Sequence, residues 1–164
     1  MNMIPFIDES RWAGTPPVVH FLGNILTFVA DCEKTGGSFT LTECKTAPGA
    51  GAPPHTQEDE EAFIVLEGAY QFLIGDRMET HSIGSVVHIK PGMVHAFSNQ
   101  GDKPARMLIL NLPGGMHEGF FRAVGDPVRP GQTEFADPGP PNVELLCEVA
   151  SRYGIRILPP PAAA

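Results

Sequence analysis

From Val18 to about Leu112, short β-branched or aromatic runs alternate with turn residues, the pattern of an all-β sandwich or barrel. The alternation predicts strands near 18–22, 25–30, 37–46, 61–67, 69–74, 77–82, 85–90, 95–99 and 105–112. The clearest turn is Gly75-Asp76, between "YQFLI" and "RMETH". Glycine takes the positive φ of a two-residue hairpin at little cost, so strands 69–74 and 77–82 are expected to be antiparallel neighbours.

After Pro113 the period changes. Met116, Phe120 and Val124 recur at four-residue spacing up to Gly125, which predicts a short helix packed on the barrel. A loop rich in Pro, Gly and Asp follows, from about 126 to 141. Asn142 is placed to cap a second helix whose Val143, Leu146, Cys147 and Ala150 share an apolar face, with Gly154 placed to end it. "IRIL" is expected to add a small strand, and "PPPAAA" reads as a frayed tail. No internal repeat is visible, so one domain over 1–164 is expected, a barrel over about 18–113 with a helical extension over about 114–164.

A chain of 164 residues suits that reading, since it is long enough to bury one substantial core. Glycine (18) and proline (17) are abundant, yet 42% of residues are hydrophobic, which describes a turn-rich globular protein and not a disordered one. The net charge of −8, with 11 basic residues and no Lys/Arg cluster, leaves nothing to neutralise a phosphate backbone, so nucleic acid is not an expected partner. No apolar stretch reaches the roughly 18 residues of a membrane span, and "MNMIPFIDESRW" lacks the charged and apolar regions of a leader. A soluble, cytoplasmic protein with no membrane partner is expected. Cys32, Cys44 and Cys147 are odd in number and lack CxxC spacing, so they are expected to be buried small hydrophobes rather than disulfides or zinc ligands.

Candidate chemistry lies in "PPHTQEDEEAFIVLEG" (53–68) and "GSVVHIKPGMVHAFSN" (84–99). Residues of equal parity share one face of a strand. His55 and Gln57 are therefore paired, as are Glu61, Phe63 and Val65, and as are His95, Phe97 and Asn99. A carboxylate at the depth of Glu61 is costly unless a cation or a strong donor meets it, and His55 and His95 can converge on it from neighbouring strands. His20, His81 and His117 are expected as surface or satisfied core residues. His88 and Lys90 share a strand face expected to point to solvent. "PGAGAPP" is not a phosphate loop, because no Lys-Ser/Thr follows and it precedes a strand.

These two stretches resemble the motifs of the cupin superfamily. Gly49, His55, Gln57, Glu61 and Gly68 match the first motif, and Gly84, Gly92, His95 and Asn99 match the second. Gln57 stands where the motif has its second histidine, and Lys90 where it has proline, with Pro91 next. The resemblance implies a jelly-roll barrel, the cupin double-stranded β-helix. It also implies one divalent metal ion (Fe, Ni, Mn, Co, Cu or Zn) held by His55, Glu61 and His95. Gln57 either adds an amide oxygen as a fourth ligand or hydrogen-bonds a substrate or water. Glu58, Asp59 and Glu60 are then expected to form the solvated bend before the strand. Phe63, Phe72, Phe97 and Met107 are expected as core that also lines a substrate pocket.

Within the cupins, "PGAGAPPH", "EEAFIVLEG" and the later "PGG" and "GFF" are most similar to small quercetin dioxygenase-like proteins. That likeness implies a metal-dependent oxygenase using O₂ on a small aromatic or enolic hydroxy-ketone, with Glu61 as the proton-transfer residue if the apolar barrel raises its pKa. Two alternatives stand beside it. One is a metal-dependent isomerase, lyase or hydrolase with Glu61 as proton shuttle, and the other is a small-molecule-binding cupin without turnover. The family also implies a homodimer formed through N-terminal strands within residues 1–30.

Overall fold

A computed structural model describes residues 18–129, 132–137 and 139–159. The strands are β1 (Val18–Phe21), β2 (Asn24–Ala30), β3 (Thr40–Thr46), β4 (Gly51–Gln57), β5 (Glu60–Glu67), β6 (Ala69–Ile74), β7 (Arg77–Ser82), β8 (Val86–Ile89), β9 (His95–Ser98), β10 (Ala105–Leu112), β11 (Asp126–Pro127) and β12 (Ile155–Ile157). Two helices, α1 (Met116–Val124) and α2 (Val143–Arg152), form the C-terminal helical part.

The strands form two antiparallel sheets, ordered β11-β1-β2-β3-β10-β5-β8 and β12-β4-β9-β6-β7. Period-two alternation explains which residues meet between them. On β5 and β10 the buried residues Phe63, Val65, Met107 and Ile109 point inward while their neighbours are half-buried, and Tyr70, Phe72 and Phe97 face them from the second sheet. The Phe63 ring lies 5.1 Å from Phe72 and 5.7 Å from Phe97, spacings typical of tilted and edge-on aromatic pairs. Each such fully buried side chain contributes about 1.5–3 kcal/mol of transfer free energy.

The expected hairpin is present, with Ile74 opposite Arg77 and Gly75 at φ 63°. Both helices also form where expected. Asn142 Oδ1 accepts from the Leu145 amide at 3.1 Å, and Gly125 N–H bonds the Phe121 carbonyl at the end of α1. The apolar face expected on α2 is only partly used: Ala150 is buried, whereas Val143 is exposed. Ala150, Phe120, Tyr153 and Ile155 build a small second cluster, and Phe21 and Phe121 pack against both it and the barrel core. "IRIL" supplies β12 over Ile155–Ile157.

The main element missing from the expected strands is β4, whose Gly51-Ala52-Pro53-Pro54 start has low strand propensity and two residues without an N–H donor. The sheet accommodates them by a register shift between Ala52 and His55 in the β4–β9 pair. Gly51 is required there, since a Cβ at that position would sit 2.0 Å from the Phe97 carbonyl oxygen. Strand β3 begins at Thr40, later than the expected 37, because residues 31–37 turn back on themselves. The frayed-tail expectation for "PPPAAA" falls mostly, and the proposed strand-pairing segment 1–30 partly, outside the described residues. Among the described residues all three cysteines are free; Cys44 is buried as expected, while Cys32 and Cys147 are only half-buried. No helix among them is long and apolar enough to cross a membrane.

Candidate metal centre

Adjacent strands β4 and β9 set His55 directly opposite His95, with ring centroids 4.1 Å apart. Strand β5 brings Glu61 to them from the other sheet, so that its Oε2 lies 3.0 Å from His95 Nε2. One ligand atom from each of His55, Glu61 and His95 falls within 4.8 Å of the others, and all three side chains are buried.

Both imidazoles are oriented by backbone carbonyls two residues earlier. His55 Nδ1 lies 2.8 Å from the Pro53 oxygen and His95 Nδ1 lies 2.9 Å from the Met93 oxygen. A carbonyl only accepts, so each Nδ1 carries its proton and Nε2 is left to bind a ligand. This is how metal-bound histidines are commonly fixed. Burial pushes the His55 pKa down to about 4, reinforced by the neighbouring His95, which favours the neutral form a metal requires.

Glu61 is held differently from the sequence expectation. Burial by itself would raise its pKa, but the imidazoles of His117, His95 and His55 outweigh burial and bring it down to about 2. The carboxylate is therefore anionic at neutral pH, and the provision that the apolar barrel raises its pKa is not met. Its second oxygen, Oε1, accepts from Asn111 Nδ2 at 3.0 Å.

Gln57 is buried on the same inward parity as His55. Its Nε2 donates to the Asp59 carbonyl at 3.4 Å, while Oε1 has no hydrogen-bond partner among the described residues. A buried amide oxygen without a partner, two residues from His55 on the same inward face of β4, is the kind of neutral oxygen donor a divalent transition metal accepts.

The bend before β5 also corrects an expectation. Glu58 and Glu60 are exposed, as expected, and Glu60 Oε1 meets His88 Nε2 at 2.6 Å on the solvent side. Asp59 instead is 1% exposed. Its Oδ2 lies 2.9 Å from His117 Nδ1 and accepts from Asn111 Nδ2 at 3.0 Å. Burial opposes a charge on His117, but the Asp59 carboxylate dominates and raises its pKa. His117 is thus a buried residue paired through Nδ1, and it also lines the cavity, which the sequence reading missed. Asn111 was missed as well, although its parity with Met107 and Ile109 marks a polar group at an inward position.

Beside the centre lies a cavity of about 60 Å³, open to solvent and walled by Phe21, Phe63, Phe97, Phe120, Phe121 and Ile109 among others. Of the four expected pocket residues, Phe63 and Phe97 line it; Phe72 and Met107 are fully buried in the barrel core and do not. Asn99, the last residue of the second motif, serves the fold: its amide donates to the carbonyls of Thr46 and Lys103 at 3.1 and 2.8 Å.

A family model described as the cupin domain matches residues 42–111, the stretch that carries His55, Glu61 and His95. Over those residues the chain carries a cupin domain. Solved cupin-fold structures resemble it along most of their own length. A predicted oxalate decarboxylase from Thermotoga maritima is 17% identical with a TM-score of 0.55, over 60% of this chain and 92% of that one. KdgF from Halomonas sp. is 18% identical with a TM-score of 0.52, over 57% and 81%. An RmlC-like cupin from Shewanella frigidimarina is 11% identical with a TM-score of 0.53, over 59% and 83%. No curated protein sequence matches the chain. At these identities the likeness establishes the cupin fold alone, and one fold hosts many chemistries. The part of the cavity wall built by α1 and β12 lies beyond the matched residues.

Proposed function

We propose that this cupin is a metal-dependent oxygenase, quercetin dioxygenase-like, acting with O₂ on a small aromatic or enolic hydroxy-ketone. The observation that carries this reading is the placement of two Nε2 atoms and one carboxylate at the edge of an aromatic-walled cavity. Two histidines and a carboxylate with open positions are the ligand pattern of oxygen-using non-haem sites. A divalent ion bound there, among Fe, Ni, Mn, Co, Cu and Zn, supplies Lewis acidity and sites for oxygen ligands.

The chain's residues have separate tasks in this reading. His55, His95 and Glu61 hold the ion, and Gln57 adds its unpartnered amide oxygen. Phe63 and Phe97 stack against the substrate's planar body and keep water from the reacting face. Glu61 Oε2, anionic at neutral pH, accepts the proton that the substrate hydroxyl gives up on binding. The isomerase, lyase or hydrolase alternative uses the same Glu61 carboxylate as a proton shuttle and differs in consuming no O₂. We further propose a cytoplasmic homodimer; free cysteines among the described residues fit a reducing compartment.

The test is elemental analysis of the purified chain, followed by O₂-electrode assays with flavonols and smaller hydroxy-ketones. Metal-dependent O₂ uptake with ring-opened product supports the proposal. Turnover without O₂ uptake would replace it with the isomerase, lyase or hydrolase reading, and tight binding with no product would leave a ligand-binding cupin. Light scattering that shows only monomer removes the dimer.

A further inference from the structure

Among the described residues four polar side chains stand in the cavity wall: Asn24, His55, Glu61 and His117. Asn24 is spent on the fold. Its amide donates to the carbonyls of Phe21, Leu22 and Gly51 at 3.1, 3.3 and 3.0 Å, and its oxygen accepts from Thr46 at 2.8 Å and Cys44 at 3.5 Å. His55 and Glu61 belong to the metal centre. His117 remains, and half of its hydrogen-bonding capacity is unused.

His117 Nδ1 lies 2.9 Å from Asp59 Oδ2 and 3.2 Å from Asn111 Nδ2, whereas Nε2 has no hydrogen-bond partner among the described residues. The two nitrogens lie on different edges of an imidazole ring, so a carboxylate at Nδ1 turns Nε2 away from itself. The ring is also fixed in place. Its centroid lies 6.3 Å from that of His55 and 5.6 Å from that of Phe121, which in turn packs against Phe21 and Phe120 at 6.2 and 5.8 Å. An imidazole whose centroid lies 6.3 Å from that of His55 therefore stands fixed beside an aromatic wall. No Lys or Arg lines the cavity among the described residues, so nothing there selects a strongly anionic ligand.

We infer that His117 is a substrate-binding residue whose Nε2 hydrogen-bonds a second, remote hydroxyl of an aromatic hydroxy-ketone. The inference rests on the proposed substrate class and narrows it: the ring carries one oxygen pair at the metal and a further hydroxyl on the far side. Asp59 acts through His117 as a positioning residue.

Calorimetric titration under nitrogen tests this with two probes that differ by that one hydroxyl, 2-hydroxyacetophenone and 2,4-dihydroxyacetophenone. The wild-type chain should bind the dihydroxy probe about 5–10-fold more tightly, the worth of one good hydrogen bond. His117→Phe, which keeps the volume of a ring, should bind both probes alike. An equal preference in wild type and variant overturns the inference, as does failure of the wild-type chain to bind either probe. In case His117→Phe does not fold, the ring ¹⁵N signals of the wild-type, zinc-reconstituted chain give a second reading. His117 Nε2 should shift with the dihydroxy probe and stay in place with the monohydroxy one; no shift with either overturns the inference. Neither measurement needs O₂ or turnover. A chain that discriminates the probes yet consumes no O₂ fails as an oxygenase and keeps His117 in this role.

Discussion

Asn111 stands directly opposite Glu61 in the β10–β5 pair and donates its amide to Glu61 Oε1 at 3.0 Å. The same amide nitrogen reaches Asp59 Oδ2 at 3.0 Å, so one side chain at the end of β10 aligns both buried carboxylates. Groups that orient a metal ligand are often worth nearly as much as the ligand. Asn111→Ala is therefore expected to lower divalent metal affinity by about 10–100-fold while leaving the barrel folded. Competition against a chelating dye measures it, and an unchanged affinity would show that Asn111 serves the fold alone.

Gln57 occupies the position where the motif has an imidazole, and its Oε1 is unpartnered. Gln57→His replaces an amide oxygen with a better donor for late transition metals. The affinity for nickel or zinc should rise by about 10-fold, equivalent to about 1.4 kcal/mol, with little change for manganese. A fall in affinity for all three metals would place Gln57 outside the ligand set.

The His55→Ala/His95→Ala double variant should purify without metal under conditions in which the wild-type chain carries close to one ion per chain. Mass-spectrometric elemental analysis decides it. Equal metal in both proteins would move the site elsewhere.

Acid should weaken the metal-free protein through His55. Its folded pKa of about 4 lies below the ordinary 6.5, so the unfolded chain takes up the proton first. Stability from this group is complete above pH 6.5, falls as pH drops through the window, and levels off below about 4. The loss is about 3 kcal/mol at most. Urea titrations of the chelator-treated chain between pH 7.5 and 4 should show this slope, and His55→Phe should flatten it. Below about pH 4.5, protonation of Glu61 in the unfolded chain adds a loss of the same sign.

Phe72 separates core from pocket. It is fully buried against Phe63, Tyr70 and Phe97 and does not line the cavity. Phe72→Ala should cost about 3–5 kcal/mol of stability. At temperatures where the variant remains folded, probe affinity should be unchanged. Weaker binding by the folded variant would return Phe72 to the pocket.

Strand order along the chain was largely legible because turns and alternation are local. Gly75-Asp76 announces its hairpin, and Met107, Ile109 and Asn111 reveal an inward face by parity alone. Strand β4 was harder, since its start reads as a loop; its pairing with β9 and β12 overrides weak propensity. At the site, His55, Glu61 and His95 could be named from their spacing. Asp59 could not, because an acid within a run of four reads as solvated and the local sequence carries no mark of its burial.

By itself the sequence determined most of the strands and turns, and the shared parity of His55 with Gln57, of Glu61 with Phe63 and of His95 with Phe97, because a pleated chain repeats every two residues wherever it pairs. Tertiary structure alone decided that Asp59 meets His117, 58 positions away, and that Phe63 and Phe97 line the cavity while Phe72 and Met107 do not. It also decided the charge of Glu61. A carboxyl's pKa follows from the distances to three imidazoles set by β4, β9 and α1, and those distances exist only once the two sheets and α1 have packed.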